Sequence, residues 1–313
     1  MTTRQPKLII HGGASSLVDD KGGLQKVRTS LHSIVTEVYQ LLIDGETAID
    51  AVVKGCQLLE NDPSFNAGTG SVLQSDGQIR MSASLMEGLT QTFSGVINVS
   101  RVKNPIDLAK YLQTESDRIL SDLGAIELAR ELQIPIYNPL TEFRAREWIA
   151  EWKDDFQGKM GRLFAHTESS EARRGTIGVV ALDSQGRIAA GTSTGGKGLE
   201  RIGRVSDSVM PAGNYATADA GVSCTGIGED IVNECFAARV VIRVGDGLSL
   251  PNAMQKSMAE CHKRERDLGA IALDHSGVIS WGKTSEILLA AYHNGSTIGD
   301  TLEWQTEELM GFC

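Results

Sequence analysis

The 313-residue sequence predicts an α+β fold in which largely antiparallel sheets are covered by helices. Three observations carry this. Apolar residues recur at helical spacing in two long N-terminal segments. Short apolar runs come in pairs around glycine-containing turns. Two of those pairs share the pattern ALD-x-x-G-x-I, which marks a recurring hairpin in one sheet system rather than a tandem repeat.

Taken in order, KLIIHGGAS (7–15) reads as a short buried strand ending in a glycine turn. Leu24, Val27, Leu31, Ile34, Val35, Val38, Leu41 and Leu42 then lie along one helical face, and a second helix is expected from Thr47. Asn104-Pro105 predicts a helix start, with Asn as cap and Pro in the first turn. Hairpins are expected at Ser75-Asp76-Gly77, Ser184-Gln185-Gly186 and His275-Ser276-Gly277. The segment 151–174 starts helical and decays into the polar HTESSEARR, so it is expected to be an exposed, mobile linker. EDIVNECFAARVVIRV is expected to form one helix after a glycine-rich turn.

Composition narrows the function. A net charge of −10 and a pI near 5.2 argue against nucleic acid and anionic membranes as partners. No apolar run approaches a membrane span, and MTTRQPKLIIHGGAS lacks the apolar core of a signal peptide. Cys56, Cys224, Cys235, Cys261 and Cys313 are scattered and odd in number, which favours a reducing, cytoplasmic setting. The six histidines show no metal-ligand spacing.

Several short stretches carry chemistry. GTSTGGKG (191–198) nearly matches a phosphate loop, but Gly198 replaces the Ser/Thr and no helical face follows, which weakens a nucleotide-binding reading. SCTGIGEDI (223–231) brings a strand through a glycine turn to a helix, either as a donor site for an oxyanion or as a plain structural joint. Arg204 and Asp207 in GRVSDS can hold the carboxylate and ammonium of an amino acid, or form an ordinary surface ion pair.

RRGTIGVVALD (173–183) offers two readings. It is a loop meeting a strand, or the chain is cut between Gly175 and Thr176. A threonine hydroxyl is a weak nucleophile that needs a base. A freed N-terminal threonine carries its own in an α-amino group of pKa about 7.7–8.0. Gly175 removes bulk from the bond to be broken, and the β-branched side chain of Thr176 limits its rotamers.

HGGAS, FNAGTGSVL, MSASLMEG, GTIGVVALD, GTSTGGKG, IGRVSDS and VSCTGIGED, in this order, resemble the plant-type L-asparaginase/isoaspartyl peptidases, and cyanobacterial members above all. These are N-terminal nucleophile hydrolases, and the likeness runs from about Lys7 to Gly295. It implies a four-layer αββα sandwich: one hydrolase domain, 1–313, that cuts itself into 1–175 and 176–313 and assembles as a dimer of αβ units. It implies hydrolysis of L-asparagine and β-aspartyl dipeptides through an acyl-enzyme, without an organic cofactor. Thr176 matches the nucleophile and Thr194 its hydroxyl partner. Asn66, Thr225 and Gly226 match positions around the nucleophile and oxyanion, while Arg204, Asp207, Thr225, Gly226 and Gly228 match substrate contacts.

The resemblance further implies a structural sodium ion on the backbone carbonyls of Leu59, Glu60, Asp62, Phe65, Ala67 and Thr69. Ser15 and Ser82 depart from the family, which usually has glycine and aspartate there, and the tail 296–313 matches nothing in it. Two other readings stand beside this one. The first is an aspartylglucosaminidase-type amidase, against which the missing signal peptide and disulfide pattern argue. The second is an uncut relative that only binds amino acids.

Overall fold

The computed structural model describes residues 4–15, 23–153, 175–302 and 309–313. The linker expected at 151–174 lies outside them from residue 154 onward. The architecture is mixed α and β, with two sheets and helices, as the sequence predicts.

The chain opens with β1 (Lys7–Ser15), α1 (Leu24–Ile43) and α2 (Ala48–Asn61). Seven buried residues of α1 fall at helical spacing, and the Thr47 hydroxyl caps α2 by accepting from the Asp50 N–H at 3.1 Å. Next come β2 (Met81–Glu87), β3 (Thr92–Val99), α3 (Pro105–Leu112), β4 (Ile119–Ser121), α4 (Asp122–Glu131) and α5 (Glu142–Lys153). Beyond residue 174 lie β5 (Ile177–Leu182), β6 (Ile188–Thr194), a 3-10 turn (Asp207–Val209), β7 (Asn214–Ala216) and β8 (Ala220–Gly226). The chain then runs through α6 (Gly228–Glu234), α7 (Phe236–Gly245), α8 (Leu250–Lys263), β9 (Leu268–Asp274), β10 (Ile279–Lys283), β11 (Ile287–His293), β12 (Ile298–Asp300) and β13 (Met310–Phe312).

One sheet has the order β12-β11-β1-β5-β6-β2-β3-β4, and the other β13-β10-β9-β8-β7. Among the described strand pairs, β3–β4 runs parallel and the rest antiparallel. The alternation of side chains along each strand sorts the core. Ile177, Val179 and Ala181 of β5 join a cluster with α1, α2 and α3. Val180 and Leu182, on its other face, pack with Ile271, Leu273 and Ile279 of the second sheet. On β8, Val222 and Cys224 face the helices α7 and α8.

Four local expectations need correction. The turn at 75–77 does not join two strands: residues 71–80 are irregular, and β2 instead pairs with β3. The ALD-x-x-G-x-I hairpins are β5–β6 and β9–β10, which lie in different sheets rather than one. The helix expected from Glu229 breaks at Cys235, whose left-handed φ of 45° separates α6 from α7. Asn104 sits at the start of α3 but makes no side-chain cap. Its amide donates to Glu60 Oε2 at 2.9 Å, and Glu60 Oε1 accepts the Ile106 N–H at 3.2 Å, a first-turn donor that an Asn cap would have taken.

Candidate active site

The faces that the two sheets turn toward each other are apolar along most of their length and become polar at one end. On β5 the series runs Leu182, Val180, Gly178, then Thr176; on β6 it runs Ile188, Ala190, Thr192, Thr194; on β8 it reaches Ser223 and Thr225; on β1 it reaches His11. The period of two that builds the inter-sheet core therefore delivers six hydroxyl or imidazole side chains to one place.

Thr176 stands one step before β5 and is half-buried. Its hydroxyl donates to Thr194 Oγ1 at 3.1 Å, and the Gly196 N–H donates to the same oxygen at 3.1 Å. On the other side of the junction, Gly175 is pressed on the glycine turn of β1. A Cβ on Gly175 would lie 2.1 Å from Gly13 Cα, and one on Gly13 would lie 2.2 Å from Gly175 Cα. Gly13 also has a φ of +124°, so glycine is required there by both space and conformation. Thr225 is buried, and its Oγ1 accepts from the Ala14 N–H at 3.1 Å, tying that turn to β8. Gly226 has a φ of +125°, and a Cβ there would meet Leu268 Cα at 2.6 Å.

Asn66 is buried with both ends of its amide engaged: Nδ2 donates to the Gly196 carbonyl at 2.8 Å and Oδ1 accepts from the Val72 N–H at 3.0 Å. It buttresses the 195–196 turn beside Thr194. Arg204, Asp207 and Gly228 meet: a Cβ on Gly228 would lie 2.6 Å from both Arg204 Nη2 and Asp207 Oδ1. The absence of a side chain at 228 leaves room for the two charged groups. Arg204 and Asp207 are not simply paired with each other on the surface. Arg204 Nε donates to Glu229 Oε1 at 2.8 Å and Nη2 to Oε2 at 3.2 Å. Burial opposes the charge on Arg204, but Glu229, then Asp207 and Glu200, keep it firmly protonated.

Asp207 is buried, and its Oδ2 has no hydrogen-bond partner among the described residues. Burial raises its pKa to about 6, against the pull of Arg204. Oδ2 faces Gly213, whereas Oδ1 lies with the guanidinium at the space left by Gly228, where a carboxylate is suited to an incoming ammonium group.

His11 and Ser223, to which the sequence reading gave no role, lie behind this site together with Thr192. His11 Nε2 is 2.9 Å from Ser223 Oγ, and Thr192 Oγ1 is 2.6 Å from the same oxygen; all three are buried. Gly178 makes room, since its Cβ would lie 1.9 Å from Ser223 Oγ. Burial lowers the His11 pKa to about 3, with a weak opposing effect from the Thr176 backbone, so the ring is neutral near pH 7. Ser82, one of the two departures, is the cross-strand partner of Thr194 and accepts from the Asn98 N–H at 3.1 Å.

For a cation at the 59–69 loop, the donor chemistry fits. Among the described residues, the carbonyls of Phe65, Ala67 and Thr69 accept no hydrogen bond, and backbone oxygens suit sodium-like hard cations. The carbonyls of Leu59, Glu60 and Asp62 each accept one backbone N–H, which leaves each a second lone pair. Among the described residues no group of three or more His, Cys, Asp or Glu side chains is arranged to hold a metal. None of the described helices is long and apolar enough to cross a membrane.

A family profile described as asparaginase matches residues 4–303. An "Isoaspartyl peptidase/L-asparaginase" from Synechocystis sp. is 70% identical over 299 residues, covering 95% of this chain and 91% of that protein. One of the same name from Nostoc sp. is 66% identical, covering 96% and 95%. A "Plant-type L-asparaginase" from Pyrococcus horikoshii is 35% identical, covering 91% and 95%.

Proposed function

We propose, from the premise that this chain belongs to the asparaginase family, that it is a hydrolase cleaving β-aspartyl dipeptides and L-asparagine to release L-aspartate. The resemblance read from its motifs is borne out by the family match. The observation that carries the mechanism is the Thr176–Thr194 hydroxyl pair beside a junction pressed on Gly13.

In the uncut chain the Thr176 nitrogen is an amide and cannot act as a base. Thr176 Oγ1 attacks the Gly175 carbonyl carbon, the C–N bond breaks, the hydroxyl proton ends on the departing Thr176 nitrogen, and an ester forms on Oγ1. Water hydrolyses the ester, giving 1–175 and 176–313. The freed α-amino group now serves as the base near neutral pH. Thr176 Oγ1 then attacks the substrate side-chain carbonyl and its proton passes to the amine. The amine returns that proton to the departing nitrogen, which leaves as ammonia or as the N-terminus of the second amino acid. Water attacks the acyl-enzyme, releasing aspartate and restoring Thr176.

Thr194 orients the nucleophile, while Thr225 and Gly226 line the region where negative charge develops on the carbonyl oxygen. Asn66 holds the turn beside it. Arg204 binds the substrate α-carboxylate and Asp207 its ammonium, with Gly228 leaving the space they need. The order of the apolar clusters, helices against one sheet and helices against the other, supports the αββα sandwich of N-terminal nucleophile hydrolases. The reading includes a dimer of αβ units, a cytoplasmic setting, and a sodium ion on the carbonyls of Leu59, Glu60, Asp62, Phe65, Ala67 and Thr69. Such an ion would fix the loop that carries Asn66. Steady-state kinetics on L-asparagine and on an isoaspartyl dipeptide test the reading: aspartate is released from both, and release from neither refutes it.

A further inference from the structure

The hydrogen bonds of Arg204 raise the question of what fixes its main chain. Residues 201–203 are exposed, and Gly203 has a φ of +86° with open space where a side chain would be. The Arg204 N–H only closes a turn onto the Arg201 carbonyl, at 3.1 Å. Glu229 holds the guanidinium, but from a carboxylate side chain that is itself 53% exposed. Among the described residues, one hydrogen bond ties the main chain of 201–205 to the rest of the protein: Asn98 Nδ2 donates to the Arg204 carbonyl at 3.0 Å.

Asn98 is well placed for this. The β2–β3 register slips between Met81 and Ala83, so that Ile97 and Asn98 together stand opposite Ser82. At this bulge Asn98 takes a left-handed φ of 54°, which asparagine tolerates better than most residues. Its N–H donates to Ser82 Oγ at 3.1 Å, and both residues are buried. Ser82 is paired on its other side with Thr194. The bulge therefore connects the strand bearing the nucleophile's partner to the backbone of the head-group arginine.

We propose that Asn98, set by its bond to Ser82, is a positioning residue that fixes Arg204 for the α-carboxylate of the substrate and thereby sets affinity for the aspartyl head group. This rests on the assignment of Arg204 to that carboxylate. Asn98 touches neither the scissile carbonyl nor Thr176 in this scheme, so it acts on binding and not on bond breaking.

The test uses binding of L-aspartate, which carries both head-group charges, measured by calorimetry on the purified wild type, Asn98→Gly and Ser82→Ala. Glycine keeps the left-handed backbone and its N–H bond to Ser82 while removing the whole side chain, donor included. One lost hydrogen bond predicts a Kd about three- to tenfold higher for Asn98→Gly and a smaller rise for Ser82→Ala. KM for asparagine and for an isoaspartyl dipeptide rises by the same factor, kcat stays within about twofold, and self-cleavage proceeds as in wild type. A merely structural role would lower thermal stability and self-cleavage together without this split, and that result overturns the proposal. So does an unchanged aspartate Kd in both variants, or a wild type that does not bind aspartate. If Asn98→Gly does not fold, Ser82→Ala decides alone. Failure of hydrolysis in the wild type with aspartate binding still weakened in the variants refutes the proposed activity and leaves the positioning role standing.

Discussion

The hydroxyl of Thr176 donates to Thr194 Oγ1 at 3.1 Å, one step beyond the paired residues Ile177 and Ser193 of β5 and β6. Register alone brings the two together, on the face turned toward the second sheet. Thr194→Val removes that oxygen while keeping the shape. It also leaves the Gly196 N–H without its acceptor. We expect kcat to fall by about 100-fold and self-cleavage to slow, with aspartate affinity nearly unchanged, because the head-group contacts are elsewhere. Turnover at the wild-type rate would remove Thr194 from the mechanism.

Gly13 faces Gly175 with no room for a methyl group between them. Gly13→Ala adds a Cβ at a left-handed φ and against backbone, so the clash cannot be relieved by a side-chain rotation. The expected outcome is a chain that stays uncut or fails to fold, read from a denaturing gel together with thermal melting. A folded, normally processed Gly13→Ala protein would show that the junction rearranges before cleavage.

The trio His11, Ser223 and Thr192 should matter to stability. Ser223→Ala leaves two buried partners unsatisfied and is expected to cost about 1–3 kcal/mol in urea unfolding. The pH dependence follows in sign. The folded-state pKa of His11 is depressed to about 3 from 6.5, so the unfolded chain takes up a proton first as pH falls. The contribution is fully present above 6.5 and is lost as pH falls toward about 3. His11→Gln should flatten this part of the stability profile.

Asp207 gives the corresponding prediction for binding. With a pKa of about 6 in the substrate-free protein, it becomes neutral below that pH and loses its hold on an ammonium group. KM for asparagine should rise by about tenfold for each unit below pH 6, whereas Asp207→Asn should show a high KM at every pH. A KM that is flat from pH 7 to 5 in the wild type would contradict the assignment.

Much of the site was legible in the sequence because it depends on local pattern. Thr176, Thr192, Thr194 and Thr225 stand out as threonines clustered at glycine-containing turns and strand ends, and the motifs around them carry the family resemblance. His11 follows the unbroken apolar run Leu8-Ile9-Ile10, so nothing in the local pattern shows which face it takes. What stayed hidden depends on distant contacts. Nothing near Asn98 signals a bulge whose amide meets a carbonyl 106 residues away. Glu229 reads as an ordinary helix-start acid until the fold sets it against Arg204. The expected cap at Asn104 failed for the same reason, since Glu60 from α2 accepts the first-turn Ile106 N–H in its place.

The most direct test is the mass and N-terminal sequence of the purified protein. Two chains are expected, one of which begins at Thr176, and a single intact chain for Thr176→Ala. A fully active wild type that remains one uncut chain would contradict this mechanism.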